Sequence, residues 1–204
     1  HDVERHRAVV AVVDDPRAAG VGLLVASAQR GVIEGGRVAC PAGGALARYW
    51  LHNGWVVQGG EKMSKSIGNV MSMDVLLHQV PAVVIRYLLA TPHYRSNIEV
   101  VVPASLEEAR TAYERIENFV LRAAEACGDA VADADPADLP VPHAFTEAMD
   151  DDLGTSAALA VVHDTVRAGN TALAAGDKDG ALTHALAVRA MTDVIGIDPL
   201  DPHW

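Results

Sequence analysis

Apolar residues recur at different spacings along the chain, and the spacings predict the elements. Val9–Val13 is a short unbroken apolar run ended by Asp14, Asp15 and Pro16, and it reads as a buried strand. Residues 18–29 read as a helix closed by Gly31, so the first stretch predicts a strand–helix fragment of an α/β layer. Residues 31–44 are glycine-rich and read as loop, and residues 45–57 as a helix end followed by a strand toward Gly59 and Gly60. A polar loop, 61–69, follows. Ser72 is placed to cap a short helix over 73–79, and Pro81 suits the first turn of another running to Ala90, with Val84, Leu88 and Leu89 as its apolar face.

From Pro103 onward the period is helical. Ser105 and Glu108 have capping-box spacing, and Leu106, Ala109, Tyr113, Ile116 and Val120 form a stripe that predicts the longest helix, ending by Gly128. Residues 129–142 combine four aspartates with three prolines and read as an exposed linker. A shorter helix comes next. Thr155 then opens a stripe through Leu159, Val162, Val166 and Leu173, and Leu182, Leu186, Ala190 and Val194 form a last one that stops at Gly196. The predicted fold class is α+β, mostly α, with the remnant of an α/β nucleotide-binding layer followed by an antiparallel helical bundle.

Composition adjusts this picture in two places. Cys40 and Cys127 are the only cysteines among 204 residues, too few for a disulfide framework or a four-thiolate zinc site, and they fit a reducing, cytoplasmic setting. The net charge of −11 opposes nonspecific binding to nucleic acid, yet it is unevenly spread. Residues 101–204 carry 19 acidic against 6 basic groups, while residues 1–100 carry 10 basic against 8 acidic, so phosphate chemistry belongs in the first half. No apolar run approaches the roughly 18 residues of a membrane span, and no membrane association is expected. The first residue is not Met, and the N-terminus lacks the order of an export signal, so the chain reads as truncated or internally started.

Of three lysines in the chain, two fall within Lys62-Met63-Ser64-Lys65-Ser66. Flanked by Gly59, Gly60 and Gly68, this stretch reads as a mobile loop whose ammonium groups close over a triphosphate and neutralise charge developing during phosphoryl or adenylyl transfer. Ser64 and Ser66 supply further hydrogen-bond donors.

Lys-Met-Ser-Lys-Ser resembles the second signature of the class I aminoacyl-tRNA synthetases. The stretches Ala45-Leu46-Ala47-Arg48-Tyr49-Trp50-Leu51-His52-Asn53-Gly54-Trp55, Ile85-Arg86-Tyr87, His93-Tyr94-Arg95-Ser96, Ile116-Glu117-Asn118-Phe119 and Asp150-Asp151-Asp152-Leu153-Gly154-Thr155 narrow the resemblance to bacterial cysteinyl-tRNA synthetases, from about Ala45 to the end. The resemblance implies ATP-dependent activation of cysteine to an adenylate and its transfer to tRNA(Cys), in the cytoplasm and as a monomer, with ATP and Mg as cofactors. It makes Lys65 the catalytic group on the ATP phosphates, Lys62 the assisting cation and Met63 a neighbour of the adenine. Lys62, Met63, Ser64, Lys65 and Ser66 together form the ATP-binding set. It also divides the chain into a partial Rossmann-like nucleotide-binding segment at 1–60, with 1–44 unmatched, a lysine-loop segment with connecting helices at 61–102, and a tRNA-binding helical bundle at 103–204.

Two parts of the family pattern are missing from the sequence. No His-Ile-Gly-His tetrad occurs, and the zinc ligands that the family uses to select cysteine are not found: a His-His-Glu-Asn-Glu stretch is expected upstream of Tyr49, where the chain reads Gly31-Val32-Ile33-Glu34-Gly35-Gly36. Cys40 and Glu34 alone do not make a tetrahedral site, so no metal residues are assigned. The chain also ends without the family's anticodon-reading extension. A truncated, frameshifted or decayed copy would read this way, and little or no activity is expected of the isolated chain. Two other functions stay open: the related cysteine ligase of mycothiol synthesis, and a catalytically silent helical module with tRNA contact.

Other residues read more plainly. Arg95 is either a contact to the tRNA backbone or a cap on a helix C-terminus. Asp150, Asp151 and Asp152 read as caps of the following helix, His163 and His184 as core or boundary residues, Cys127 as a small hydrophobe, and Trp50 and Trp55 as packing residues.

Overall fold

The computed structural model describes residues 9–13, 22–26, 49–62 and 73–204. Two compact units divide them: residues 1–62 with 94–99, and residues 63–93 with 100–204.

The first unit is built of strands. β1 (Val9–Val13) lies between β2 (Gly22–Ala26) and β3 (Tyr49–His52) and pairs antiparallel with both, placing Ala11 opposite Leu24 on one side and Trp50 on the other. β1 is where its apolar run predicts it. The helix expected over residues 18–29 is not formed, because Gly22–Ala26 is a strand. A five-residue apolar run is too short for periodicity to separate helix from buried strand, and the ladder with β1 decides it. A second small sheet joins β4 (Val56–Gln58) antiparallel to β5 (Glu61–Lys62) and parallel to β6 (Ile98–Glu99).

Helices make up the second unit. α1 (Met73–Leu77) and α2 (Ala82–Ala90) precede the long α3 (Ala104–Cys127). After α4 (Asp129–Ala132) and a 3-10 turn at Pro136–Asp138 come α5 (His143–Asp150), α6 (Thr155–Ala175) and α7 (Lys178–Ile195). Short turns reverse the chain between α5, α6 and α7, as in an antiparallel bundle. The Cys127 thiol donates to the Lys178 carbonyl, which brings the end of α3 to the start of α7.

The stripe expected on α3 is buried at every position, and Phe119 and Ala123 widen it. Gly169 of α6 sits so close to α3 that a Cβ there would meet the Phe119 ring at 2.2 Å. On α7 Ala181, Ala185, Val188, Arg189, Ala190, Met191, Thr192 and Ile195 are buried, so Ala190 of the expected stripe is in the core and Leu182 packs half-buried against it, whereas Val194 is 54% exposed. Ala181 and Ala185, too small to mark a stripe, take the deepest positions one residue before Leu182 and Leu186, so apolar weight alone misplaced the start of that face. Likewise α2 buries Val83, Val84, Ile85 and Tyr87 and leaves Leu89 43% exposed.

Two further expectations are corrected. Ser105 lies inside α3 rather than at its N-cap, which is Pro103, and its Oγ accepts from the Val101 N–H at 3.0 Å instead of capping the first turn. Residues 129–142 are not a free linker. Val131 is fully buried, and Arg189 of α7 donates through Nη1 to the carbonyls of Val131 and Ala134, both at 2.7 Å. The same guanidinium pairs with Asp198 (Nη2 to Oδ2, 2.8 Å), and the two residues are only 4% and 2% exposed. This buried pair satisfies the carbonyls of an otherwise polar segment, which a hydrophobic pattern does not report.

Candidate functional site

Among the sequence-predicted site residues, Lys62 falls at the end of β5, while Met63, Ser64, Lys65 and Ser66 lie outside the described residues, as do Ser72, Glu34 and Cys40. The approach to the lysine stretch is built by a two-residue hairpin. Gln58 pairs with Glu61 and Val57 with Lys62, and Gly59 and Gly60 turn the chain with φ of +62° and +77°. Positive φ at both central residues is the requirement that makes a Gly-Gly pair suit such a turn.

Glu99 of β6 holds this turn from the side. Its Oε1 accepts from the Gly59 N–H at 2.6 Å and, more loosely, from the Gly60 N–H at 3.4 Å. One strand turn earlier, Asn97 Oδ1 accepts from the Trp55 N–H at 2.9 Å, the Ile98 N–H donates to the Trp55 carbonyl at 2.7 Å, and the Gly54 N–H donates to the Tyr94 carbonyl at 2.6 Å. The approach is too close for any side chain at residue 54: a Cβ would lie 2.0 Å from the Ser96 carbonyl oxygen. Thus His52-Asn53-Gly54-Trp55 and Tyr94-Arg95-Ser96, about forty positions apart in sequence, are one structural unit beside the hairpin that leads to Lys62. Sequence reasoning missed Asn97 and Glu99, since nothing in a short polar stretch reports which distant amides it will satisfy.

Arg95 is exposed, with its guanidinium 5.1 Å from the centre of the Tyr94 ring. The preceding α2 is closed by Thr91, whose N–H and Oγ1 both donate to the Tyr87 carbonyl. Trp55 is half-buried, in keeping with packing.

In the helical unit, His93 Nε2 lies 3.0 Å from the Asp152 carbonyl oxygen and 3.7 Å from its carboxylate. A carbonyl can only accept, so Nε2 carries the hydrogen. Thr155 Oγ1 reaches the Pro92 carbonyl at 3.4 Å. Asp152 and Leu153 adopt φ of +54° and +55°, a left-handed conformation that costs a non-glycine residue free energy, and a Cβ on Gly154 would lie 2.6 Å from the Ala148 carbonyl. The three aspartates therefore do not cap α6, whose N-cap is Gly154 with no side-chain acceptor. They end α5 and shape the turn that receives His93. His163 is a half-buried boundary residue, as expected, with Nε2 2.8 Å from the Tyr87 hydroxyl.

A shallow groove of about 550 Å³ runs past Met73, Leu77, Ile85, Leu89 and Trp204. Its cation, Arg86, donates through Nε to the Ile195 carbonyl at 2.9 Å, and the lining holds no nucleophile or acid. Among the described residues no His, Cys, Asp and Glu cluster is arranged to hold a metal ion, and no helix is long and apolar enough to cross a membrane.

Residues 34–110 match the family described as the catalytic domain of tRNA synthetases class I (C), and residues 144–199 match the DALR domain. The chain is therefore similar to the class I tRNA synthetase catalytic domain over one stretch and to the DALR domain over its later helices. More narrowly, it is homologous to cysteine–tRNA ligases. It is 57% identical over 162 residues to the Cysteine--tRNA ligase of Streptomyces coelicolor, covering 79% of this chain and 26% of that protein. It is 55% identical over 165 residues to that of Beutenbergia cavernae, covering 80% of this chain and 35% of that protein. The chain thus spans about a quarter to a third of the length of the curated relatives it matches.

Proposed function

We propose that this chain is a portion of an ATP-dependent cysteine–tRNA ligase, acting in activation of cysteine to its adenylate and transfer to tRNA(Cys) in the cytoplasm. The observation that supports the reading most is the hairpin of β4 and β5, braced by Glu99, which leads into Lys62-Met63-Ser64-Lys65-Ser66 within the stretch that matches the class I catalytic domain. Two ammonium groups and two hydroxyls within five residues are a donor set suited to a polyphosphate. In this reading Lys65 binds the ATP phosphates and stabilises the charge that builds on departing pyrophosphate, with Lys62 assisting. Ser64 and Ser66 orient the phosphate oxygens, and Met63 lies against the adenine. Magnesium, when bound with ATP, shields phosphate charge.

Residues 1–60 form the partial nucleotide-binding segment, 61–102 the lysine-loop segment, and 103–204 the bundle that meets tRNA. Arg95 contacts the tRNA backbone, its guanidinium held over Tyr94 as a point of positive charge outside the acidic half. Zinc does not fit the residues present, because the ligand stretch expected upstream of Tyr49 is absent from the sequence, and no step is assigned to it.

The test reads binding and chemistry separately. The 204-residue chain is expected to bind a fluorescent ATP analogue, and Lys65→Ala to weaken that binding at least tenfold. Where pyrophosphate exchange dependent on cysteine is measurable, Lys65→Ala should cost it about 2–4 kcal/mol of transition-state stabilisation. Unchanged nucleotide binding in Lys65→Ala overturns the assignment. A second reading, a silent tRNA-contact module, wins if tRNA binds while the nucleotide does not.

A further inference from the structure

Helices α2, α3 and α6 meet at a polar contact set into the apolar core. The Tyr87 hydroxyl of α2 is 2.8 Å from His163 Nε2 of α6, with the two rings edge to face at 6.3 Å and 81°. The Tyr87 ring also packs tilted against Tyr113 of α3, again at 6.3 Å. Both tyrosines are buried, and their hydroxyls are held far into the neutral form chiefly by that burial. With His163 neutral as its Nδ1–H tautomer, the Tyr87 hydroxyl donates to Nε2, and this bond joins that of Arg86 to the Ile195 carbonyl in tying α2 to the bundle.

The charged groups around this contact oppose a proton on the imidazole. Burial lowers the affinity of His163 for a proton, and Arg115 from α3 and Arg167 from α6 lower it further. Glu117 of α3 and Asp198, just beyond α7, act on Tyr113. Arg167 is itself paired with Asp164, one turn back on α6.

We propose that the Tyr87–His163 contact is an acid-sensitive clasp that holds α2 on the helical bundle. When Nε2 takes a proton from solvent it ceases to be an acceptor. The Tyr87 hydroxyl must then turn, and a third cation stands beside Arg115 and Arg167. Above the ordinary histidine value of 6.5 both folded and unfolded chains hold the imidazole neutral, and the clasp contributes fully. As the pH falls below 6.5 the unfolded chain binds the proton first, so stability falls until the lower native value is reached and then levels off. Within that window one proton is worth a tenfold change in the folding constant per pH unit. The clasp is independent of the ligase reading, and its test uses no substrate.

Urea unfolding of the full chain and of His163→Gln, from pH 7.5 to 5.0, reads the effect directly. The wild-type folding constant is expected to fall, relative to the variant, by up to about tenfold per pH unit below 6.5. Parallel profiles overturn the clasp. Amide exchange, corrected for intrinsic rate, should show α2 losing protection on acidification before α7 does, and simultaneous loss overturns its local character. Should His163→Gln fail to fold, the imidazole titration of wild-type His163 by NMR decides: a midpoint clearly below 6.5 supports the clasp, and one at or above 6.5 ends it.

Discussion

The strand segments around Gly54–Gly60 and the helical bundle are held by different forces, and the difference shows in what each tolerates. Around the hairpin the chain is fastened by backbone amides given to Tyr94, Asn97 and Glu99, and by glycines that permit a close approach or a positive φ. The apolar residues there, Trp55, Val56, Val57 and Ile98, are only half-buried. In the bundle, stripes of Leu, Val, Ile, Ala and two phenylalanines are buried, and polar contacts enter the interior only as satisfied sets, such as Arg189 with Asp198 and Tyr87 with His163. A motif region built from directional bonds is sensitive to single atoms. A packed region is sensitive to volume and to an unmatched charge.

The comparison is broken most severely by Asp198→Ala. Removing the carboxylate leaves the Arg189 guanidinium buried with only carbonyl partners, and a loss of about 3–5 kcal/mol in unfolding free energy is expected by urea denaturation. The exposed Arg110–Glu107 pair on α3 is the control, since solvent screens such a surface pair and its loss should leave the unfolding curve nearly unmoved. Gly54→Ala comes next. Its Cβ collides with the Ser96 carbonyl, and a local cost of about 1–3 kcal/mol should appear as lost amide-exchange protection at Gly54, Trp55 and Ile98, with the helical circular dichroism signal retained. Glu99→Gln is the mildest, replacing a charged acceptor by a neutral one of the same shape. A cost of about 1 kcal/mol is expected, seen as faster exchange of the Gly59 amide and nowhere in the bundle.

How much of this was legible in sequence follows the same division. The α3 stripe could be read residue by residue, because large side chains at three- and four-residue steps leave no second way to face a core. On α7 Ala190 was read correctly, but the buried positions beside Leu182 and Leu186 belong to Ala181 and Ala185, whose modest hydrophobicity hid them. Residues 129–142 carry the composition of a linker, and it takes Arg189, some fifty-five residues later, to dock their carbonyls. Residues 22–26 needed the β1 ladder to become a strand. Of the candidate site, the lysine stretch was visible because its residue types are rare in this chain, whereas Asn97, Glu99 and the His93–Asp152 contact were not, because hydrogen-bond partners distant in sequence leave no periodic trace.

Residue order by itself determined the helical period after Pro103, the stops at Gly128 and Gly196, the confinement of the excess acidity to the second half, and the concentration of two lysines in five positions. Those are local or compositional properties, decided within a few residues by steric preference and charge. Tertiary structure alone decided which face of α2 and α7 is buried, that Tyr94-Arg95-Ser96 lies against Gly54, and that Asp198 is the partner of Arg189. The reason is that each is a choice among distant partners, settled by the free energy of satisfying buried polar groups and excluding water once the chain is compact.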